Sequence, residues 1–573
     1  AANMTTIEVV GHNIANANNP DYRRQQAILK TTETITTGNL GAMGTGVQVS
    51  RIEAHYDRFL FRQVVHERSN QGMWDSLAGG LDGVERVFND LGDNGLSARM
   101  AEFWGAWEDL ANNPEGVVER ATLTGKSSVL TSELNSMGED LAFQRQQLNG
   151  YFREGINEIN RLADSLGEMN QAIHDSEVLG GDNYDLRDKQ LAQLTELSEM
   201  IDIEYNEDST GQLNISLLGG QPLVLGNAVF SLAFGADDQG DLHAYFNDKN
   251  APIDDLMCSG KMKGWIDARD TLIQAQDDLN RLSSALIFSV NQGHFQGYNL
   301  DGETGTTFFD HRIALAEGQD NVGDATISFH DDSNNVEAPE GIAWATLANY
   351  DDFEIRFTDD YEDGNPSDDF IVVNTTTGVE LDPASYEVVD PDATDGSLII
   401  NFNDTTDLSL IPDKGYHVEL KFGSSGTAPR KGDTFTLSFS ANAARSMVVS
   451  QDLDNPDKIA ISDNYFEVPG NNKIALQIVQ LQHRQVVDER YTFSEFHSAL
   501  VGRVGLASHT AQTQQSQSKM VLDQLNIREE SDTGVSIDEE MVELIKFQQS
   551  YHAAAKLISI IDELVRATTE MGG

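Results

Sequence analysis

The sequence predicts a multi-domain α+β protein: a long-helix, coiled-coil bundle stalk formed by both termini, with antiparallel all-β domains inserted between them. Three observations carry this. Each chain end places apolar residues at alternating steps of three and four, the seven-residue period of a supercoiled helix seam. Between the ends, long helix-like runs are interrupted by two strand-rich blocks, 201–259 and 301–440. The 573 residues are also enough for several domains at roughly 150 residues each. The expected divisions are 1–60 with 535–573 as a terminal coiled-coil domain, and 61–200 with 260–300 and 441–534 as a helical bundle. A small β insertion occupies 201–259 and an acidic all-β outer region 301–440.

Taken in order, Met4, Ile7, Val10, Ile14 and Ala17 share one face of a first helix. Asn18-Asn19-Pro20-Asp21 stops it, because the residue before a proline is pushed out of the α region. Val47–Ile52 reads as a strand, and Tyr56–Asn89 as mostly helical. Beyond a glycine-rich break, Leu96–Leu110 is helical with Met100, Phe103, Trp104 and Trp107 on one side. After Asn112-Asn113-Pro114 a long helix runs from about Glu115 to about His174. Its leucines at 123, 130, 134, 141 and 148 read as plain bundle core. Asp185–Met200 makes one more helix, and Ile201–Asp248 alternates as a small antiparallel sheet. Helix resumes from Gly264 to about Asn291. Five β-rich runs then follow, from Ala325–Phe329 to His417–Leu420. A linker around Asp452–Gly470 leads into a helix from Asn472 to about Asn526. Last, Ser536 with Glu539 three residues on is a capping-box signature. It opens a helix whose seam is Leu544, Phe547, Tyr551, Ala554, Ile558, Ile561, Val565 and Thr568.

Charge bounds the partners. There are 93 Asp and Glu against 38 Lys and Arg, a net of −55. That argues against nucleic acid, whose phosphates need clustered cations. Residues 301–440 hold 30 acidic and 6 basic side chains, whereas 1–60 hold five of each. The neutral end suits packing among subunits and the acidic middle suits water. No run of about 18 apolar residues is present, so no membrane span is expected; nor is there a charged-then-apolar leader. Cys258 stands alone, excludes an internal disulfide and reads as a buried or neutral thiol.

Candidate chemistry is thin. His483 and His497 lack the i, i+4 pairing of a helical metal site and read as surface polar positions. The Asp-rich stretches Asp359–Asp369 and Asp390–Asp395 lack EF-hand spacing and read as solvated turns. Gly44-x-Gly46 has no third glycine opening a helix, so it is no dinucleotide fingerprint. No catalytic residue, cofactor or metal is expected.

Gly11-x-Asn13-Ile14-Ala15-Asn16-x-Asn18-x-Pro20-x-Tyr22, followed by Arg24-Gln25, resembles the N-terminal signature of the bacterial flagellar axial family of rod, hook and hook-associated proteins. Asn19 replaces the usual Thr and Asp21 the usual Gly, so the turn after Pro20 is expected to differ in type. Gly44-Thr45-Gly46-Val47-x-Val49 and Tyr56-Asp57-x-Phe59-Leu60-x-x-Gln63 are similar to the members that sit between hook and filament. Gly534–Glu540 and Gln548-Gln549-x-Tyr551-x-Ala553-Ala554 resemble the family's C-terminal signature. Family members begin earlier than this chain, so a preceding segment is expected.

The resemblance implies a structural part of the flagellum, exported by the flagellar type III apparatus and extracellular. It implies self-assembly into a helical or ring-like zone that joins hook to filament. Hook protein and hook-associated protein 3 are the implied neighbours, with an export chaperone on the C-terminal helix. The expected assembly interface is Ile7, Val10, Ile14, Asn16, Pro20 and Tyr22 at one end, with Leu544, Phe547, Tyr551, Ala554, Ile558, Ile561 and Val565 at the other. The alternatives are another axial protein, a hook or filament-like subunit, or a secreted enzyme carried on 301–440.

Overall fold

The computed structural model describes residues 2–571 apart from short breaks at 20–21, 34, 38–40, 44–45, 55, 90–94, 180–182, 209–210, 238, 247–250 and 489. Within the acidic insert the breaks are 311–313, 318–324, 332–335, 338–351, 360–368, 376–377, 382–385, 390–398, 403–415, 423–428 and 439. Most of both Asp-rich stretches, together with Pro20 and Gly44, therefore lies outside the described residues.

The helical frame consists of α1 (Ala2–Asn16), α2 (Arg58–Val87), α3 (Leu96–Asn112), α4 (Val117–Val178), α5 (Tyr184–Met200) and α6 (Gly260–Phe295). After the insert come α7 (Ala443–Ser446), α8 (Lys473–Leu481), α9 (Phe493–Thr533) and α10 (Ile537–Met571). The Tyr-Asp-x-Phe-Leu block is a helix start: Asp57 Oδ1 accepts from the Phe59 and Leu60 N–H groups at 2.9 and 3.2 Å. Leu60 and Phe61 then turn inward and are buried.

The α4 leucine stripe is 0–4% exposed throughout. It packs with Phe103 and Trp107 of α3 and Leu279 and Leu286 of α6 in the largest core among the described residues. Each such leucine is worth ~1.5–3 kcal/mol of burial. Gly264 lets α2 and α6 cross closely: a Cβ there would meet the Met73 carbonyl oxygen at 2.3 Å. The second core joins Phe61, Phe152, Leu194 and Met262 to the small β insertion.

That insertion is a four-stranded antiparallel sheet, 203–207, 213–217, 222–225 and 228–229 in sequential order, followed by a hairpin of 232–236 with 242–246. The acidic insert forms two five-stranded antiparallel sheets. One has 353–357 at its centre, flanked by 434–438 and 370–374. The other has 416–422 at its centre, flanked by 325–331 and 399–402. Where the insert leaves the body, the Asn291 side chain donates to Phe309 O at 2.7 Å and accepts from the Phe308 and Phe309 N–H groups at 2.8 and 2.9 Å. Beside it, buried His294 donates from Nδ1 to Thr306 O at 2.7 Å and accepts at Nε2 from Ala460 N–H at 2.9 Å. Arg120 donates to Ile459 O at 2.8 Å and Pro114 O at 2.9 Å.

Three expectations need correction. The helix expected over Asn472–Asn526 is two helices, α8 and α9. Asp488 takes a positive φ of 50° between them, and Val487 bridges to Tyr491. α9 then opens on a capping box, Thr492 with Glu495. Cys258 is exposed, on the loop entering α6. His497 is buried, with Nδ1 3.1 Å from Ser97 Oγ.

Candidate assembly interface

The two chain ends meet in a buried polar node. The Asn13 side-chain amide makes four hydrogen bonds. Its Oδ1 accepts from Tyr22 Oη–H at 2.8 Å and Gln25 N–H at 3.0 Å. Its Nδ2 donates to Gln25 O at 2.9 Å and to Glu540 Oε2 at 3.0 Å. The other carboxylate oxygen of Glu540 accepts from Arg24 Nε at 2.7 Å. Asn13 and Glu540 are each 1% exposed. Both polar groups are thus fully desolvated and paired, the condition under which burial is tolerated. Burial, followed by the nearby Asp185 and Asp188 carboxylates, pushes the Tyr22 hydroxyl far above its usual range, so it stays a donor.

A second anchor ties this node to the body. Arg23 pairs with Asp188 of α5 at 3.6 Å and Glu529 of α9 at 3.1 Å, and its guanidinium lies 5.1 Å from the Phe61 ring centre. Burial raises the Asp188 carboxyl to about 6 in spite of Arg23. Beside the anchor, Asn16–Asn19, the α5 carboxylates Glu196 and Glu199, and the α9–α10 turn line a groove of about 930 Å³. Gly534 in that turn has no alternative side chain, since a Cβ would sit 2.3 Å from the Glu530 carbonyl oxygen.

β1 (Gln25–Thr31) pairs antiparallel with β2 (Val47–Ala54) and continues from the node. α1 lies antiparallel along the start of α10, with Asn13 near its end facing the first turn of α10. Length decides what it covers. At 1.5 Å per residue α1 spans about 22 Å and α10 about 52 Å, so about 30 Å of α10 extends beyond α1. Exposure follows that geometry. Leu544 and Phe547 are half-buried, whereas Tyr551, Ile558, Ile561 and Val565 are 44–66% exposed and Ala554 is exposed.

At the other end Val10 and Tyr22 are buried, while Ile7, Ile14 and Asn16 are half-buried. The buried face of α1 is Thr6, Val9, Val10 and Asn13, rotated from the expected Met4–Ile7–Val10–Ile14 stripe, and Met4 is 48% exposed. The rotation has a cause: the seam is centred on the Asn13 node, which a hydrophobic-only pattern skips. Asn13 and Glu540 lay inside the quoted motifs, but nothing in one sequence couples positions 527 apart.

Two family models match. Residues 81–309 fit the flagellar hook-associated protein FlgK helical domain, and residues 531–571 fit the flagellar basal body rod FlgEFG protein C-terminal region. The chain is 26% identical to flagellar hook-associated protein 1 of Salmonella typhimurium, over 99% of this chain and 97% of that one. It is 23% identical to the protein of the same name from Bacillus subtilis, over 99% and 95%. The flagellar hook junction protein FlgK of Burkholderia pseudomallei shares its fold, with a TM-score of 0.55, 15% identity, and coverage of 82% of this chain and 99% of that one. The helical-domain model, the C-terminal model and the end-to-end match to the relatives agree: along its whole length the chain is similar to flagellar hook-associated protein 1.

Proposed function

We propose that this chain is a structural subunit of the bacterial flagellum that joins hook to filament, with the uncovered part of α10 as its docking device. The observation that carries the reading is the contrast along α10. Its first turns are held by α1, while the apolar residues beyond Phe547 face water. A helix in a protein draws most of its stability from packing its apolar face, so this one gains order by docking. Burying the side chains of Tyr551, Ile558, Ile561 and Val565 at ~1.5–3 kcal/mol each is enough to offset a substantial part of the cost of association.

The rest of the reading follows the family. Copies of this chain, hook protein and hook-associated protein 3 are the partners that cover the seam in the finished structure. An export chaperone covers it in the cytoplasm, and the flagellar type III apparatus carries the chain out. A non-enzymatic role fits relatives that are structural flagellar proteins. The test is removal of 548–571. The shortened protein is expected to stay folded and monomeric, while cells carrying it make hooks without filaments and shed flagellin, seen by electron microscopy. Filaments of normal number would overturn the reading.

A further inference from the structure

Arg23 borders two hollows. One is the groove already described. The other is a cavity of about 430 Å³, within the ~300–1,000 Å³ usual for small-molecule sites. Its walls come from both parts of the molecule. The terminal segment supplies Arg23 and Ile52 of β2, and the body supplies Asn183 and Asp188 at the start of α5, with Glu207 and Leu213 of the small β insertion. The lining holds four arginines and four carboxylates. They neutralise one another, as Arg58 and Arg187 do with Glu207 at 3.0 and 3.2 Å. So balanced a lining has no net charge to draw in a free ion.

What the lining lacks is specific. Arg23 and Asn183 are 9 and 6% exposed, yet Arg23 Nε and Asn183 Oδ1 have no hydrogen-bond partner among the described residues. Buried polar atoms are otherwise almost always paired. Asp188 is also buried. It takes the Arg23 backbone N–H at 3.3 Å and lies 3.6 Å from the Arg23 guanidinium, both long contacts, whereas a carboxylate has room for about four donors. Burial outweighs Arg23 and raises the Asp188 carboxyl to about 6, so it is still ionised at neutral pH. One donor and two acceptors in the wall of one cavity are therefore short of partners. A primary carboxamide is their complement, with one C=O to accept and two N–H groups to donate. A carboxylate would meet Asp188 with like charge, and an ammonium has no acceptor for Arg23 Nε. Leu191 and Leu213, also in the lining, suit the methylenes that carry such an amide.

We propose that this cavity binds a primary carboxamide, the group carried by glutamine and asparagine, with its C=O on Arg23 Nε and its N–H groups on Asn183 Oδ1 and the Asp188 carboxylate. The site is separate from α10 and does not depend on the docking role given above. Arg23 and Ile52 belong to the terminal segment, and Asn183 and Asp188 to the body. An occupant that bonds to both ties them together and stiffens the joint at Arg23.

The experiment titrates the full-length protein at neutral pH and reads the Leu191 and Leu213 methyl resonances. The probes are N-acetylglutamine methylamide, its glutamate counterpart with a carboxylate in place of the amide, and its methionine counterpart of similar length. The glutamine compound is expected to shift both methyls and to bind at least tenfold more tightly than the other two. Asn183→Ala should remove that advantage. The comparison of the three compounds on the parent protein stands even where the variant does not fold. Equal binding of the three, or no shift with any, overturns the site. So does a crystal soaked in the glutamine compound in which Arg23 Nε and Asn183 Oδ1 are bonded to water alone. Free glutamine separates the two sources. If it binds more tightly than the capped compound, the guest is a free amino acid, and if less tightly, a side chain on a protein segment; either upholds the carboxamide. Hydrogen exchange around Arg23 should slow at least threefold on binding, and unchanged exchange would overturn the stiffening.

Discussion

The leucine stripe of α4 and the seam of α10 have the same kind of spacing and opposite fates. Leu123, Leu130 and Leu141 of α4 are wholly buried among α3 and α6, whereas Ile558 and Val565 of α10 are more than half exposed. Seven-residue periodicity thus reports that a helix wants a partner and says nothing of where the partner is. The body finds its partners within the chain, and that is the stable part. The chain end has one short partner, α1, and runs past it.

The largest effect that separates these regions is core truncation. Leu130→Ala or Leu141→Ala is expected to cost about 2–5 kcal/mol, the range for a buried leucine that leaves a cavity. Denaturant midpoints should fall accordingly, while Ile558→Ala in the monomer should leave them unchanged. Equal effects would erase the distinction.

Next is the node where the two regions join. Asn13→Ala takes one hydrogen bond each from Glu540 and Tyr22 and two from the Gln25 backbone, a loss of about 1–3 kcal/mol for buried polar groups left short of a partner. The loss should be local. Hydrogen exchange is expected to speed up in α1 and the first turns of α10, and not in α4.

A smaller effect, of opposite sign in the two regions, comes from pH. Burial depresses buried His294 to about 4 from its usual 6.5. Its contribution is full above 6.5 and is lost as pH falls through 4, because the folded body resists the proton, as does nearby Arg120. Asp188 is raised by burial to about 6 from 3.8. Its contribution is full below 3.8 and is lost as pH rises through 6. Acidification from pH 6.5 to 4.5 should therefore loosen the body at the base of the insert and tighten the joint. His294→Gln is expected to flatten the acid limb of the body's melting curve, and Asp188→Asn the opposite slope, read by exchange near Arg23. The smallest effect should be Ile558→Asp on the monomer, a change in melting temperature of no more than a degree or two, read by calorimetry.

Much of the architecture was legible because it is written in local signals. The Pro114 break, the α4 leucines and the alternation after Ile201 fix helices and strands without reference to anything distant. The break between α8 and α9 was missed because apolar spacing continues on both sides of it, and the Thr492–Glu495 cap outweighs that continuity. The assembly seam was legible in its residues but not in its phase. A hydrophobic stripe through Met4 and Ile14 was the natural choice, whereas a fully bonded amide sets the rotation of α1. Such a node is invisible in one sequence, because its parts are common polar residues whose meaning lies in a contact 527 positions away.

That separation carries a consequence for timing. A contact between Asn13 and Glu540 cannot form until the chain has been made through residue 540. Closing so long a loop from a random coil is entropically costly, and the cost falls only after the intervening bundle has folded and brought the two strands of chain side by side. The clasp therefore follows the folding of the bundle, and the bare seam beyond it is aimed only in a molecule that holds both of its ends.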